Sequence, residues 1–319
     1  MPAPAPSSSN SSTSAPAAEH VHDCLIVGAG PAGLTAATYL ARFHRDFVVV
    51  DAGKSRARWI PTSHNCPGFP FGVAGPDLLA KLRTQATQYG AAIVDGRIGK
   101  LEREGDAFTA TADDGRRWRA RHVLLATGVV DVMPAMEGLE AGIERHAVRL
   151  CAVCDGYEAS DDRIAVVAPV DDAIRHALFL RTFSRRVTAI RSEAGEPSAE
   201  CARLAAEAGI AVLPPALAMR CSAERCIVDT EAGSHEFDTL YPVLGCDPQA
   251  QLATMLGARV EGNGELQVDA RMQTSVDGVY AIGDIVSGLN QISVAMGHAA
   301  IAATGVHNRL PRNWREAQG

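Results

Sequence analysis

Residues 24–51 constrain this chain more than any other stretch. Cys24–Val27 has the apolar character of a buried strand, and Gly28-Ala-Gly30-Pro-Ala-Gly33 follows it at once. A helical pattern then runs from Leu34 to about Phe43, and a second apolar run, Phe47–Val50, ends on Asp51. Strand, glycine turn, helix and strand in that order make the unit that holds a dinucleotide. Gly28 permits the tight turn, Gly30 lets a pyrophosphate approach the backbone, and Gly33 lets helix and strand pack closely. The helix N-terminus, entered through Pro31 and Ala32, turns its positive dipole end toward the phosphates. Asp51 stands where a carboxylate can accept the hydroxyl protons of an adenosine ribose. A bare glycine pattern is weak; this one has its strand, helix and acidic residue in place.

A second stretch carries reactive groups. Cys151 and Cys154 form a C-x-x-C pair followed directly by Asp155 and Gly156. Two thiols at this spacing can close a small disulfide ring, one thiolate attacking and the other resolving. A structural zinc site would need two further ligands, and the nearest offer, Cys221 and Cys226, has a wider spacing. No metal site is therefore expected. The eight cysteines in 319 residues do not make a disulfide scaffold. Cys201, Cys221, Cys226 and Cys246 are expected as free packing or surface thiols of a cytoplasmic protein. The net charge of −7 gives no reason to expect nucleic acid or an anionic membrane as partner. Residues 1–20 are mostly Pro, Ala, Ser and Asn, without Lys, Arg or an apolar run, and are expected to be a disordered tail rather than a signal or anchor.

Further motifs bear on the cofactor. Ala281-Ile-Gly283-Asp284 closes an apolar strand, and Asn290-Gln-Ile-Ser293 opens a helix of small residues from Val294 to Ala303. Ala126-Thr-Gly128 follows the strand Val123–Leu125, and His64-Asn-Cys-Pro-Gly-Phe-Pro70 precedes Gly75-Pro76. With Cys-Ala-Val-Cys-Asp-Gly at 151–156, the chain from about Asp23 to Asn308 resembles the low-molecular-weight thioredoxin reductases, a class of FAD-dependent pyridine nucleotide-disulfide oxidoreductases. The resemblance implies an α/β fold of two nested Rossmann-like three-layer domains. The FAD-binding domain would be discontinuous, residues 21–130 and 245–319, with a smaller inserted domain at 131–244 carrying the cysteines. It implies that FAD is held by Gly28, Gly30, Pro31, Ala32, Gly33, Asp51, Ala126, Thr127, Gly128, Gly283, Asp284, Gln291 and Ile292. Cys154 would face the flavin, Cys151 would exchange with an outside disulfide or dithiol, and Asp155 would serve as general acid and base. A second reading of Asp155, as a helix N-cap, is compatible with that role. A homodimer is also implied.

The resemblance breaks where the inserted domain would bind NADPH. Arg163–Val167 reads as its first strand and Asp172–Phe183 as its helix. Between them, where the family carries Gly-x-Gly-x-x-Ala, stands Ala168-Pro-Val-Asp-Asp-Ala173. Pro169 removes a backbone donor, and Asp171 with Asp172 would repel a pyrophosphate at the helix N-terminus. After the strand Val187–Ile190, the family's basic cluster for a 2′-phosphate is replaced by Arg191-Ser-Glu-Ala-Gly-Glu-Pro197, while Arg185 and Arg186 lie at the strand's other end. These departures put NADPH in doubt. They make the chain similar to ferredoxin-dependent flavin thioredoxin reductases and to dithiol oxidases of the gliotoxin and holomycin type. The expected partner is a thioredoxin-like protein or a small dithiol, with ferredoxin, flavodoxin or oxygen at the other end of electron flow. An NADPH-dependent reductase with a divergent site and a non-catalytic redox sensor are the rival readings. Cys66 is expected as an ordinary thiol, and His298 on a packing face. Trp314 would lie over the flavin or, more in keeping with a tail residue, dock on its own domain or a dimer partner.

Overall fold

The computed structural model describes residues 20–222, 225–286 and 288–315. The tail expected at residues 1–20 lies, but for His20, outside the described residues. The chain begins with β1 (Val21–Val27), α1 (Pro31–Arg42) and β2 (Phe47–Asp51). Helix α1 starts earlier than its apolar pattern because Pro31, with its fixed φ and no N–H to satisfy, suits the first helical position. Then come α2 (Gly75–Gln88), β3 (Ala92–Asp95), β4 (Ile98–Glu104), β5 (Ala107–Ala112) and β6 (Arg117–Leu125). These strands lie in one sheet in the order β3-β2-β1-β6-β5-β4. The buried parts of the inner strands, Cys24–Val27 of β1 and Phe47–Val50 of β2, are unbroken apolar runs, as parallel strands covered on both faces must be.

Short β7 (Val129–Asp131), α3 (Leu139–Glu144) and α4 (Ala152–Asp155) lead to a second sheet. It is built by β8 (Arg163–Ala168), α5 (Val170–Leu180), β9 (Arg186–Arg191), α6 (Ala199–Ala208) and β10 (Ala211–Leu213). A hairpin of β11 (Ala218–Cys221), β12 (Cys226–Thr230) and β13 (Gly233–Phe237) intervenes before β14 (Thr239–Pro242) completes the parallel order β10-β9-β8-β14. The chain then returns through β15 (Cys246–Pro248), which pairs antiparallel with β7, so the outgoing and incoming crossings are tied to each other. After α7 (Gln251–Thr254), β16 (Val279–Ala281) rejoins the first sheet beside β6. Helix α8 (Ile292–Arg309) packs on α1 through Ala295, Ala299, Ala302 and Ala303 against Ala32, Ala36 and Ala37, small side chains that let the two helices approach.

The structure corrects several expectations. Cys221 and Cys226 are not free: they face each other across the β11–β12 pair and are joined as a disulfide. Directly opposed, non-hydrogen-bonded positions bring two Cα atoms to about 4.5 Å, within disulfide reach; only the hairpin register creates that proximity. Asp155 is not a helix N-cap; Cys151 holds that position and Asp155 ends α4. Helix α5 spans Val170–Leu180 rather than Asp172–Phe183, and Phe183 instead lays its ring where a Cβ on Gly156 would sit, 2.6 Å away. Among the described residues no helix is long and apolar enough to cross a membrane.

Candidate active site

The turn from β1 into α1 has a geometry that its glycines alone permit. Gly28 has φ +101°, and a Cβ there would lie 2.4 Å from the Ala126 carbonyl oxygen. A Cβ on Gly33 would come within 1.9 Å of the Gly28 carbonyl oxygen. Gly30 caps α1 in an extended conformation, and no side chain caps the helix. Its leading amide end is therefore open to a ligand. At the end of β2, Asp51 Oδ1 accepts from the Ala29 N–H at 3.0 Å and Oδ2 lies 3.4 Å from Arg83 Nη2.

Ala126, Thr127 and Gly128 continue β6 beside this turn. The Ala126 N–H bonds Val27 O at 2.8 Å, and Thr127 Oγ1 donates to Gln249 O at 2.7 Å. Gly283 follows β16 in the left-handed region, φ +75°, with Ala32 behind it. Asp284 comes next, its Oδ2 3.3 Å from Arg56 Nη1; Arg56 Nε donates to Asp131 Oδ2 at 2.7 Å. Burial pushes the Asp284 carboxyl up, and the Arg56 guanidinium opposes it.

Cys151 and Cys154 are joined as a disulfide across the first turn of α4, both half-buried. The Gln291 side-chain amide reaches them from the start of α8, with Nε2 at 3.4 Å from Cys151 Sγ and 3.3 Å from Cys154 Sγ. Asn65 Nδ2 donates to Gln291 Oε1 at 2.9 Å and lies 3.5 Å from Val153 O. Behind the disulfide, Asp155 Oδ1 accepts from the Tyr241 hydroxyl at 3.0 Å, and Oδ2 lies 3.4 Å from Arg149 Nη1. Burial raises the Asp155 carboxyl above its ordinary range, while Arg149 and the Tyr241 hydroxyl pull it down.

These groups share one cleft with a cavity volume of about 490 Å³, which runs from the glycine turn to the disulfide. Every residue expected at the cofactor or the disulfide lines it except Gly33, which stands behind the wall against Gly28. Ile292 lies at the cleft's edge and also packs toward Cys66. Cys66 is buried with Val73 and Leu78, and burial raises its thiol, as suits a packing cysteine. His298 does not line the cleft; burial lowers its imidazole, against the pull of Asp284. Trp314 is 78% exposed, with the Arg312 guanidinium over its ring, and does not line the cleft. The sequence reading gave no role to Arg56, Asn65, Arg149 or Tyr241. A charged residue two positions before Cys151 was the one local signal available; the other three arrive from distant segments.

The β8–α5 junction differs. Pro169 caps α5 with φ −49°, and no residue from Ala168 to Ala173 has a positive φ. Asp171 Oδ1 accepts from the Ser198 N–H at 2.9 Å, and Asp172 Oδ1 lies 3.4 Å from Arg175 Nη1. Arg191 donates through Nη1 to Gly195 O at 2.7 Å and to Glu196 at 3.0 Å, and through Nε to Leu213 O at 3.2 Å.

A family model described as pyridine nucleotide-disulphide oxidoreductase matches residues 22–299. A thioredoxin reductase of Mycolicibacterium smegmatis is 30% identical over 300 residues, covering 89% of this chain and 94% of the relative. Among solved structures, the thioredoxin reductase of Streptococcus pyogenes MGAS5005 superposes with a TM-score of 0.83 at 26% identity, over 90% of this chain and 97% of that one. The structure of HlmI superposes with a TM-score of 0.84 at 29% identity, over 91% and 93% of the two chains.

Proposed function

Since this chain belongs to the pyridine nucleotide-disulphide oxidoreductases and is thioredoxin reductase-like, we propose that it is an FAD-dependent thiol–disulfide oxidoreductase working without NADPH. Its Cys151–Cys154 pair exchanges with a thioredoxin-like protein or a small dithiol. Residues 21–130 and 245–319 form the FAD-binding part and residues 131–244 the inserted redox part, a division supported by the paired crossings β7 and β15.

The cradle around the cleft supports FAD. The uncapped N-terminus of α1 offers amides to a pyrophosphate, and Asp51 offers a carboxylate to a ribose. Asp284 and Gln291 line the end of the same cleft that holds the disulfide. Bound there, FAD supplies the two-electron couple with which the disulfide is paired.

The chain's own residues carry the exchange. An incoming thiolate attacks Cys151 Sγ, the Cys151–Cys154 bond breaks, and Cys154 leaves as the thiolate. The second thiol of the substrate then attacks the mixed disulfide and releases Cys151. The substrate leaves as a disulfide, the pair is left as a dithiol, and the reverse order reduces a substrate disulfide. Asp155, next to Cys154, takes and returns the thiol protons. Gln291 and Asn65 fix the disulfide's orientation at the cleft wall.

The observation that carries the absence of NADPH is the β8–α5 junction. Its turn has no left-handed residue, Asp171 and Asp172 stand in the first turn of the helix, and Arg191 is occupied by Glu196 and backbone carbonyls. The parallel β8–α5–β9 unit is nonetheless kept, which favours an NADPH-dependent reductase as the second reading. Anaerobic titration of the holoenzyme, following flavin absorbance, separates them. We expect no bleaching with NADPH or NADH and full bleaching with dithiothreitol or reduced thioredoxin. Prompt stoichiometric bleaching by NADPH would return the chain to the NADPH-dependent enzymes.

A further inference from the structure

Arg149 is a buried cation beside the disulfide with no part in the mechanism above. It is 8% exposed and lines the cleft with Cys151, Cys154 and Asp155. Its backbone N–H bonds Leu240 O at 2.9 Å, which anchors it to β14, the strand that also brings Tyr241 to Asp155. Nη1 lies 3.4 Å from both Asp155 Oδ2 and the Asp155 carbonyl oxygen. Nε is buried without an acceptor. Burying a guanidinium on one carboxylate, with a donor left over, is a poor way to stabilise a fold, because desolvation offsets most of the attraction. A cation held there at such cost acts on the charge of its neighbour.

We propose that Arg149 is a positioning residue that keeps Asp155 ionised, so that Asp155 can accept a thiol proton while buried behind the disulfide. This rests on the reading of Asp155 as the acid and base of the exchange. The substrate thiol gives its proton to an Asp155 oxygen, and its sulfur pair forms the bond to Cys151 Sγ. The Cys151–Cys154 bonding pair passes to Cys154, and the proton on Asp155 then goes to that thiolate or to water. Without the guanidinium, the upward push of burial on Asp155 would lose its largest opponent, and less of the carboxyl would be ionised when the thiol arrives.

The groups around the pair agree in sign. Burial raises Asp155, and Glu158, just after α4, pushes the same way; Arg149 is the largest opposing influence, followed by the Tyr241 hydroxyl from β14. Burial and the Asp155 charge hold the Tyr241 phenol protonated, so it donates throughout the working range and cannot itself take the proton. His146, with φ +63° after α3, also lines the cleft. Burial, then Arg149 and His64, keep its imidazole neutral to lower pH, so it adds no second cation at neutral pH.

The test is the pH dependence of single-turnover reduction of the holoenzyme by dithiothreitol in wild type, R149M, R149K and D155N. The D155N rate, which is the thiolate's attack without a base, is subtracted from each rate, and the remainder is taken as a ratio to the neutral dithiothreitol present. The wild-type ratio should rise with pH through the ionisation of Asp155. In R149M that rise should move up by about one unit or more, the usual effect of removing a close opposite charge, a roughly tenfold slowing below the limb. R149K should keep the limb near its wild-type position. Should R149M lose its flavin, R149Q carries the same test, since it keeps a donor to Asp155 without the charge. An unmoved limb in R149M or R149Q overturns the proposal and leaves Asp155 in its role. A pH-independent ratio in wild type overturns Asp155 and Arg149 together.

Discussion

The β1–α1 and β8–α5 junctions begin two copies of the same wiring, a parallel strand leading through a turn into a helix and back to a parallel neighbour. Their turns have opposite character. The first has Gly28 at φ +101° and Gly33 against backbone. The second has Pro169, no positive φ, and Asp171 bonded to the Ser198 N–H that opens the next helix. Both units fold because their cores do not depend on the turn. Ile164, Val166, Ala173, Ile174 and Ala177 are buried around β8 and α5 as Ile26, Leu34 and Ala37 are around β1 and α1. On the reading proposed above, the turn is where the ligand site is made, and it can be lost while the layers stay.

Glycine substitution should therefore divide the two junctions most sharply. In Gly33→Ala the new methyl meets the Gly28 carbonyl oxygen, a backbone atom that cannot rotate away. We expect a loss of about 3 kcal/mol or more, at the upper end of overpacking costs, with protein purified free of flavin. Denaturant unfolding and the ratio of flavin to protein absorbance read both effects. Pro169→Gly at the second junction should cost only about 1 kcal/mol, mostly through a freer unfolded chain, and leave flavin content unchanged. A flavin-replete, stable Gly33→Ala variant would break the contrast.

The same division explains what the sequence allowed to be read. Gly28, Gly33 and Asp51 were legible because a tight turn and a strand end impose residue types within one short segment. Cys151 and Cys154 were legible for the same reason, and so were the missing glycines at 168–173. The groups around the disulfide were not. Tyr241 reaches Asp155 across 86 residues, and Asn65 reaches Gln291 across 226. Neither position differs locally from an ordinary strand tyrosine or loop asparagine; only the pairing of β14 with β8 and the return of α8 makes them neighbours. The resemblance names Gln291 for the cofactor, not for the disulfide it reaches across 140 residues. The Cys221–Cys226 disulfide was missed because it depends on hairpin register, which a one-residue slip would destroy. The N-cap reading of Asp155 failed by a few residues for a similar reason: the helix is too short for its start to be placed from pattern alone.

The smallest effect expected is also the one that resolves which feature would close the second junction to nucleotide on the reading proposed above. Asp171 is held below the usual carboxylate range, first by the Ser198 backbone N–H and then by the Ser198 side chain. A lowered carboxyl contributes stability that is fully present above its unfolded value, near 4, and is lost as pH falls through the folded one. Asp171→Ala should therefore lower the melting temperature slightly at neutral pH, and its gap to wild type should close on acidification below about pH 4. Thermal melts at a series of pH values read that closure; a gap unchanged at acid pH would mean the carboxylate is not what ties α6 to this turn. The same variant removes one negative charge from the start of α5 without restoring a left-handed turn. If the missing glycines close the site, Asp171→Ala will be bleached by NADPH no faster than wild type. If it is bleached promptly, charge alone was the barrier, and the two junctions differ by one side chain rather than by their backbone.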